Sequence, residues 1–163
     1  MEIKFSIVIP CFNEQSNLPE LFKKCHEHLI RNEIEVIIVN NGSKDDSKDV
    51  IHNLRNQYNS RLLKSINLDK NLGYGGGILE GLKIANGNFI GWTHADLQTD
   101  IKDVLKAFDL TEDSTFIKGW RVGRSFKENF FSYGMALFET IILRKFLWEI
   151  NAQPTIFSQE FYM

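Results

Sequence analysis

Asn88-Phe89-Ile90-Gly91-Trp92-Thr93-His94-Ala95-Asp96-Leu97-Gln98 is the stretch that decides the fold. Asn88 to Thr93 reads as a short buried strand. His94 and Asp96 then place an imidazole and a carboxylate, two residues apart, at its end. In an open α/β sheet, ligands bind at the carboxyl ends of the strands. A single carboxylate there can hold a hard divalent cation that takes the rest of its ligands from substrate phosphates.

Outward from this strand, apolar runs alternate with helix-period segments. Phe5 to Pro10 reads as a first strand and Ile34 to Val39 as a second. Arg61 to Leu68 is a weaker third, and Thr115 to Lys118 follows the Asn88 strand as a fifth. Between them, Leu18, Leu21, Phe22, Cys25 and Leu29 fall on one helical face. Val50, Ile51, Leu54 and Tyr58 stripe a second helix, Ile78, Leu82 and Ala85 a third, and Ile101, Val104, Leu105 and Phe108 a fourth. Asn17 with Glu20 has capping-box spacing, Ser43 with Asp46 is placed to cap the second helix, and Asn86-Gly87 is placed to end the third. This βαβαβαβαβ order predicts a mainly parallel sheet with helices on both faces.

The chain has 163 residues, enough for one domain with a sizeable core, and is 43% hydrophobic and 25% charged, as an ordinary globular protein is. A formal net charge of −2 gives no electrostatic case for nucleic-acid binding. Cys11 and Cys25 form neither a metal spacing nor a disulfide framework, which fits a reducing compartment. The amino terminus enters a strand-like run without a signal-peptide pattern, and no segment has the roughly 18 uncharged apolar residues of a membrane span.

Three strand ends are polar: Cys11-Phe12-Asn13-Glu14, Asn40-Asn41-Gly42-Ser43 and His94-Ala95-Asp96. In a parallel sheet they share one rim and can meet one ligand. Taken singly, each also has a structural explanation as a helix start, a turn or a satisfied polar residue. Asn71-Leu72-Gly73-Tyr74-Gly75-Gly76-Gly77 precedes a helix, where glycines let the backbone approach an anion. It follows the third strand rather than the first and lacks G-x-G-x-x-G spacing, which speaks against a nicotinamide cofactor. The loop Lys118-Gly119-Trp120-Arg121-Val122-Gly123-Arg124 carries two arginines that can clamp phosphate oxygens, or can simply be solvated. Phe130 to Trp148 is helical in character and very apolar. It reads as a buried helix, a helix covered by a partner subunit, or one lying at a membrane surface.

As a set, these segments resemble family 2 glycosyltransferases of the GT-A fold, closest to the dolichyl- and polyprenyl-phosphate sugar transferase branch. Ser6 to Glu14 resembles the family's opening strand and turn, Val39 to Ser43 its Asp-Asp-Gly-Ser turn, and Asn71 to Gly81 its Asn-x-Gly loop and helix. His94 to Gln98 resembles its Asp-Ala-Asp-Leu-Gln metal motif, Lys118 to Arg121 its Gly-Ser-Arg loop, and Gln153 to Ser158 an acceptor-side segment. The resemblance implies a Rossmann-like three-layer α/β sandwich. It implies that Pro10, Phe12 and Glu14 border the base and ribose, that Asn41 faces the base, and that Gly73 belongs to the donor loop. Asp96 would bind Mg²⁺ or Mn²⁺, Gln98 would support the metal or phosphates, and Arg121 and Arg124 would meet donor or acceptor phosphate.

Two departures bear on chemistry. His94 replaces the first Asp of the metal motif, and imidazole suits Mn²⁺ better than Mg²⁺. Asn40-Asn41 replaces the double Asp, keeping an acceptor oxygen and adding a donor amide. Family modules also run further, so residues 1–163 read as a single domain incomplete at its carboxyl end, whose uncovered apolar surface predicts a homodimer.

The implied activity is inverting transfer from a UDP- or GDP-linked sugar to polyprenyl phosphate or a cell-surface glycan precursor. The alternative is a nucleotide-sugar-binding paralog without turnover. The implied place is the cytoplasm, with peripheral contact at the inner face of the membrane. A hydroxyl acceptor would need a carboxylate base, for which Asp100 and Glu160 are the candidates, whereas a phosphate acceptor needs none.

Overall fold

A computed structural model describes residues 2–30, 34–112, 115–120, 140–142, 144 and 152–162. The strands are β1 (Phe5–Cys11), β2 (Glu35–Asn41), β3 (Leu63–Leu68), β4 (Phe89–Trp92), β5 (Phe116–Lys118) and β6 (Thr155–Ser158). The helices are α1 (Leu18–His28), α2 (Ser47–Tyr58), α3 (Gly73–Leu82), α4 (Ile101–Phe108) and the short α5 (Gln159–Tyr162).

The six strands form one sheet in the order β3-β2-β1-β4-β6-β5. β1, β2, β3 and β4 pair in parallel. Every residue of the central strands β1 and β2 is buried, as their continuous apolar runs require when both faces are covered. The outer part of the sheet departs from the expected parallel order. β6 inserts between β4 and β5 and runs antiparallel to both. Four residues of strand carry too little periodicity to declare themselves, and only pairing with β4, such as Trp92 opposite Thr155, makes Thr155 to Ser158 a strand rather than a loop.

Side-chain alternation sorts the core into two layers around the sheet. Phe5, Ile7, Ile9, Val36 and Ile38 face α1, α2 and α4, meeting Leu18, Leu21, Phe22, Ile51, Ile101 and Val104. Val8, Ile37, Val39, Ile90 and Phe157 face α3 through Ile78 and Leu82. The result is the three-layer sandwich expected. Burying each of these side chains contributes about 1.5–3 kcal/mol. α3 lies close on the sheet because Gly81 has no side chain: a Cβ there would stand 2.3 Å from Val8 Cγ1.

The expected caps are built differently. Asn17 makes no cap bond to α1 and gives its amide to Glu14 Oε2 at 2.6 Å. Ser43 is drawn to the β1 turn, and Asp45 rather than Ser43 or Asp46 takes the Ser47 amide at the start of α2. α3 ends at Leu82, short of Asn86-Gly87.

At the amino-terminal end of the parallel strands lies a polar cluster with no sequence forecast. The Glu35 side chain is fully buried and accepts from Ser6 Oγ (2.6 Å), Asn86 N (3.1 Å) and Asn86 Nδ2 (3.2 Å), with Lys64 Nζ at 2.5 Å. Burial opposes its ionisation, but Lys64, Ser6 and Asn86 outweigh that and hold the carboxyl below its ordinary range. The cluster ties β1, β2 and β3 to the turn that leads into β4.

Candidate active site

At the opposite end of the sheet, the turns after β1 and β2 interlock. Asn13 sits in the left-handed region (φ 58°), which its short polar side chain tolerates, and its Oδ1 accepts from Lys44 N at 2.8 Å. In return Ser43 Oγ accepts from Asn13 N (3.0 Å) and Ser47 Oγ from Glu14 N (3.1 Å). Asp45 accepts from the Gln15 and Ser47 amides, and although burial opposes it, these bonds keep its carboxyl below the usual range. Gly42 turns the chain at φ 68°, and a Cβ there would lie 2.3 Å from the Lys70 carbonyl carbon, so no other residue fits.

Together these turns wall a cleft of about 290 Å³ lined by the strand ends and the start of α3. Of the residues singled out from the sequence, Pro10, Phe12, Glu14, Asn41, Gly73, His94 and Asp96 all line it. They come from four strand ends separated by most of the chain, and the parallel register is what gathers them.

Asn41, expected to face a base, has its amide committed elsewhere. Its nitrogen donates to Gly73 O (2.8 Å) and Asn71 Oδ1 (3.2 Å), and its oxygen accepts from Leu72 N (3.0 Å). It is buried and shapes the glycine-rich turn, where Gly73 adopts φ 76°. Asn40 likewise holds neighbours, donating to Asn67 Oδ1 and accepting from Ser43 N.

On the far wall, Asp96 Oδ1 accepts from Gln98 N at 3.0 Å, closing a turn through Leu97 at φ 61°. Gln98 thus meets Asp96 through its backbone, and its exposed side chain does not line the cleft. The His94 ring stacks on Tyr74 with centroids 4.6 Å apart and planes 16° apart. Tyr74 is the one residue with a side chain between Gly73 and Gly77, and the glycine pattern around it gives no sign of its contacts. Gln153 lies 3.0 Å from the Tyr74 hydroxyl.

The two candidate bases lie elsewhere. Asp100 caps α4 by accepting from Lys102 N (3.0 Å), and that bond holds its carboxyl below the usual range. Glu160 sits on α5 beyond the end of β6 that pairs with the start of β4, at the other end of the sheet. Arg121 and Arg124 lie outside the described residues, as does most of Phe130 to Trp148. Of that stretch, residues 140–142 are helical and Ile141 and Ile142 are exposed.

Cys11 lines the cleft with its thiol donating to Val39 O at 3.4 Å. Burial first, then the charges of Glu14 and Asp45, pushes it up to about 12, so it is no nucleophile at neutral pH.

Among the described residues, no three His, Cys, Asp or Glu side chains form a complete metal cage. The cleft instead carries two carboxylates, Glu14 and Asp96, and neither forms an ion pair among the described residues. Such a sparse oxygen donor set fits a hard divalent cation whose remaining ligands are water and substrate phosphate.

The chain is similar to known proteins over most of its length. An undecaprenyl-phosphate 4-deoxy-4-formamido-L-arabinose transferase of Pseudomonas syringae pv. syringae (strain B728a) is 31% identical over 122 residues, covering 72% of this chain and 35% of that protein. A dolichyl-phosphate beta-glucosyltransferase of Dictyostelium discoideum is 24% identical over 179 residues, covering 97% of this chain and 55% of that one. A mannosyltransferase of Pyrobaculum calidifontis, solved with GDP-Man and Mn²⁺, superposes with a TM-score of 0.70 over 98% of this chain and 46% of its own, at 15% identity. That likeness is one of fold, and the fold is GT-A. S. aureus TarS 1-349 with UDP-GlcNAc superposes at 0.55 and 27% identity, over 75% of this chain and 36% of its own. The chain thus spans only about a third to about half the length of the relatives it matches. Residues 6–160 match the family model "Glycosyl transferase family 2", a span that takes in all of the sheet but Phe5 and every described wall of the cleft, and the chain belongs to that family.

Proposed function

We propose that this protein transfers a sugar from a UDP- or GDP-linked donor to polyprenyl phosphate, with inversion at the anomeric carbon. The observation that carries the reading is the meeting of Pro10, Phe12, Glu14, Gly73 and Asp96 on one cleft at the sheet rim. Its volume is at the small end for a ligand pocket and suits the nucleotide part of a donor.

In this reading Pro10 and Phe12 pack against the base and ribose. Asn41 acts through the turn it holds rather than by touching the base. The start of α3 offers backbone N–H groups without intrahelical partners to the diphosphate. Asp96, with His94 beside it, would hold Mg²⁺ or Mn²⁺, which when bound supplies neutralisation of the charge on the departing nucleoside diphosphate. Arg121 and Arg124 are proposed to meet the remaining phosphate charge.

The acceptor is inferred from what the cleft lacks. Glu14 and Asp96 are its only carboxylates among the described residues, Glu14 takes a hydrogen bond from Asn17, and Asp96 is assigned to the metal. A hydroxyl nucleophile would need a base. A lipid phosphate attacks as the anion it already is, forming the new bond to the anomeric carbon as the bond to the diphosphate oxygen breaks. Named relatives that act on undecaprenyl and dolichyl phosphate support this choice. The reading calls for contact with the inner membrane face; no helix among the described residues is long and apolar enough to cross a membrane.

The test is a thermal-shift series with UDP, GDP and NAD, each with and without Mn²⁺, followed by transfer assays on Asp96→Ala. Metal-dependent stabilisation by UDP or GDP is expected, since a ligand that binds only the folded state raises its melting temperature. Stabilisation by NAD alone, or unchanged transfer in Asp96→Ala, would overturn the reading. Nucleotide binding with no transfer in the parent would leave a nucleotide-sugar-binding protein without turnover.

A further inference from the structure

The glycine-rich start of α3 poses a physical problem that the proposed donor site does not solve by itself. Gly73, Gly75, Gly76 and Gly77 lack side chains, and glycine loses more conformational freedom on ordering than any other residue. Nothing lies within 4 Å of where a Cβ would stand on Gly73 or Gly75, so that part of the turn is not held by packing around it. From below, Asn41 holds Asn71 to Gly73. Beyond Gly73, the side chain able to anchor the turn on its cleft side is Tyr74.

Tyr74 is engaged at both ends. Its ring stacks on His94 at 4.6 Å, on the same wall as Asp96. Its hydroxyl is 3.0 Å from Gln153, just before β6. With the Gln153 amide oxygen turned toward that hydroxyl, every polar neighbour is satisfied. The oxygen accepts from Tyr74 Oη (3.0 Å) and Trp92 Nε1 (3.2 Å), and the nitrogen donates to Trp92 O (2.8 Å). One side chain thereby links the α3 turn, the end of β4 and the entry to β6. A stacked aromatic pair is worth more than its buried area alone.

We propose that Tyr74 is a positioning residue: stacked on His94 and hydrogen-bonded to Gln153, it fixes the glycine-rich start of α3 against the Asp96 wall so that one diphosphate can touch both. The inference rests on the donor-site reading above and adds a residue to it. Binding to a turn already in place avoids the ordering cost that a floppy turn would impose.

The experiment uses the full chain and two variants. Tyr74→Ala removes the stack and the hydroxyl; Tyr74→Phe keeps the ring and removes only the hydroxyl. Backbone ¹⁵N order parameters at Gly73 and Gly75 are measured without ligand. Calorimetric affinities are measured for UDP and for GDP with Mn²⁺. In Tyr74→Ala the order parameters should fall from about 0.85 to below about 0.6. Nucleotide affinity should fall about tenfold, with the melting temperature within about 2 °C of the parent. Tyr74→Phe should lose about threefold, as one hydrogen bond predicts, and so rescue about half of the Ala defect on a logarithmic scale. Unchanged order parameters, or a mobile turn with parental affinity, would overturn the proposal. If the parent binds neither nucleotide, the donor-site reading fails, and the order parameters still decide whether Tyr74 holds the turn.

Discussion

At the amino-terminal ends of the parallel strands a carboxylate is sealed inside the protein; at their carboxyl-terminal ends two carboxylates stand in an open cleft. Glu35 has four donors around it and no exposure. Glu14 and Asp96 have one side-chain acceptor bond each among those identified, and no cation beside them among the described residues. The first arrangement satisfies every oxygen and so stabilises. The second leaves acceptor capacity that no described residue fills. A buried charge without partners is costly, which is why the sealed end had to be complete and the open end could be left to solvent and ligand.

This contrast separates the effects of substitutions. Asp96→Ala should reduce transfer by about 10³-fold, about 4 kcal/mol of transition-state stabilisation. It should leave stability almost unchanged, because only one exposed turn bond is lost. Steady-state assays beside melting curves check both halves. A large loss of stability would mean the rim is as structural as the base.

Lys64→Met should do the reverse. It strands Glu35 with its three other donors but without its cation, at a cost of about 3 kcal/mol. Lys64 is itself 32% exposed, which places the effect at the low end for a buried pair. Urea unfolding measures it, and nucleotide affinity of the folded fraction should match the parent.

Acid sharpens the comparison. The folded pKa of Glu35 lies below its unfolded value, so its stabilisation is complete above the ordinary carboxylate pKa near 4.5 and is lost as the pH falls through the folded value. Glu35→Gln should therefore flatten the decline of stability with acid below about pH 4.5, read from urea midpoints across the range. An unchanged slope would assign the acid sensitivity to other carboxylates.

The smallest expected effect is none. Cys11 and Cys25 are both buried, and burial leads in pushing each thiol up to about 12. Iodoacetamide at pH 8 should label neither in the native protein and both after denaturation, as counted by mass spectrometry. Rapid native labelling of Cys11 would show that the cleft floor opens.

The rim was far more legible in the sequence than the base. Phe12, Glu14, Gly73, His94 and Asp96 each follow an apolar run or precede a helix pattern, so strand ends could be read and aligned before any contact was known. Glu35 could not be read in this way. A glutamate that opens an apolar strand has the same local pattern whether it faces water or a lysine, and its partners Ser6, Lys64 and Asn86 lie 29 to 51 residues away. Tyr74 is illegible for a related reason: its partners His94 and Gln153 lie 20 and 79 residues away, beside other strands. Asp100 and Glu160 were drawn in by closeness along the chain, yet one caps a helix and the other lies at the far end of the sheet.

By itself the sequence determined the alternation of strands and helices, the three layers and the polar strand ends, because hydrophobic periodicity is local and survives without knowledge of neighbours. Only the tertiary structure decided that β6 slots between β4 and β5, that Asn41 serves a turn, and that Tyr74 bridges α3 to the Asp96 wall. Strand order and hydrogen-bond partners are settled by competition among groups far apart in the chain, and no window of sequence contains both sides of that competition.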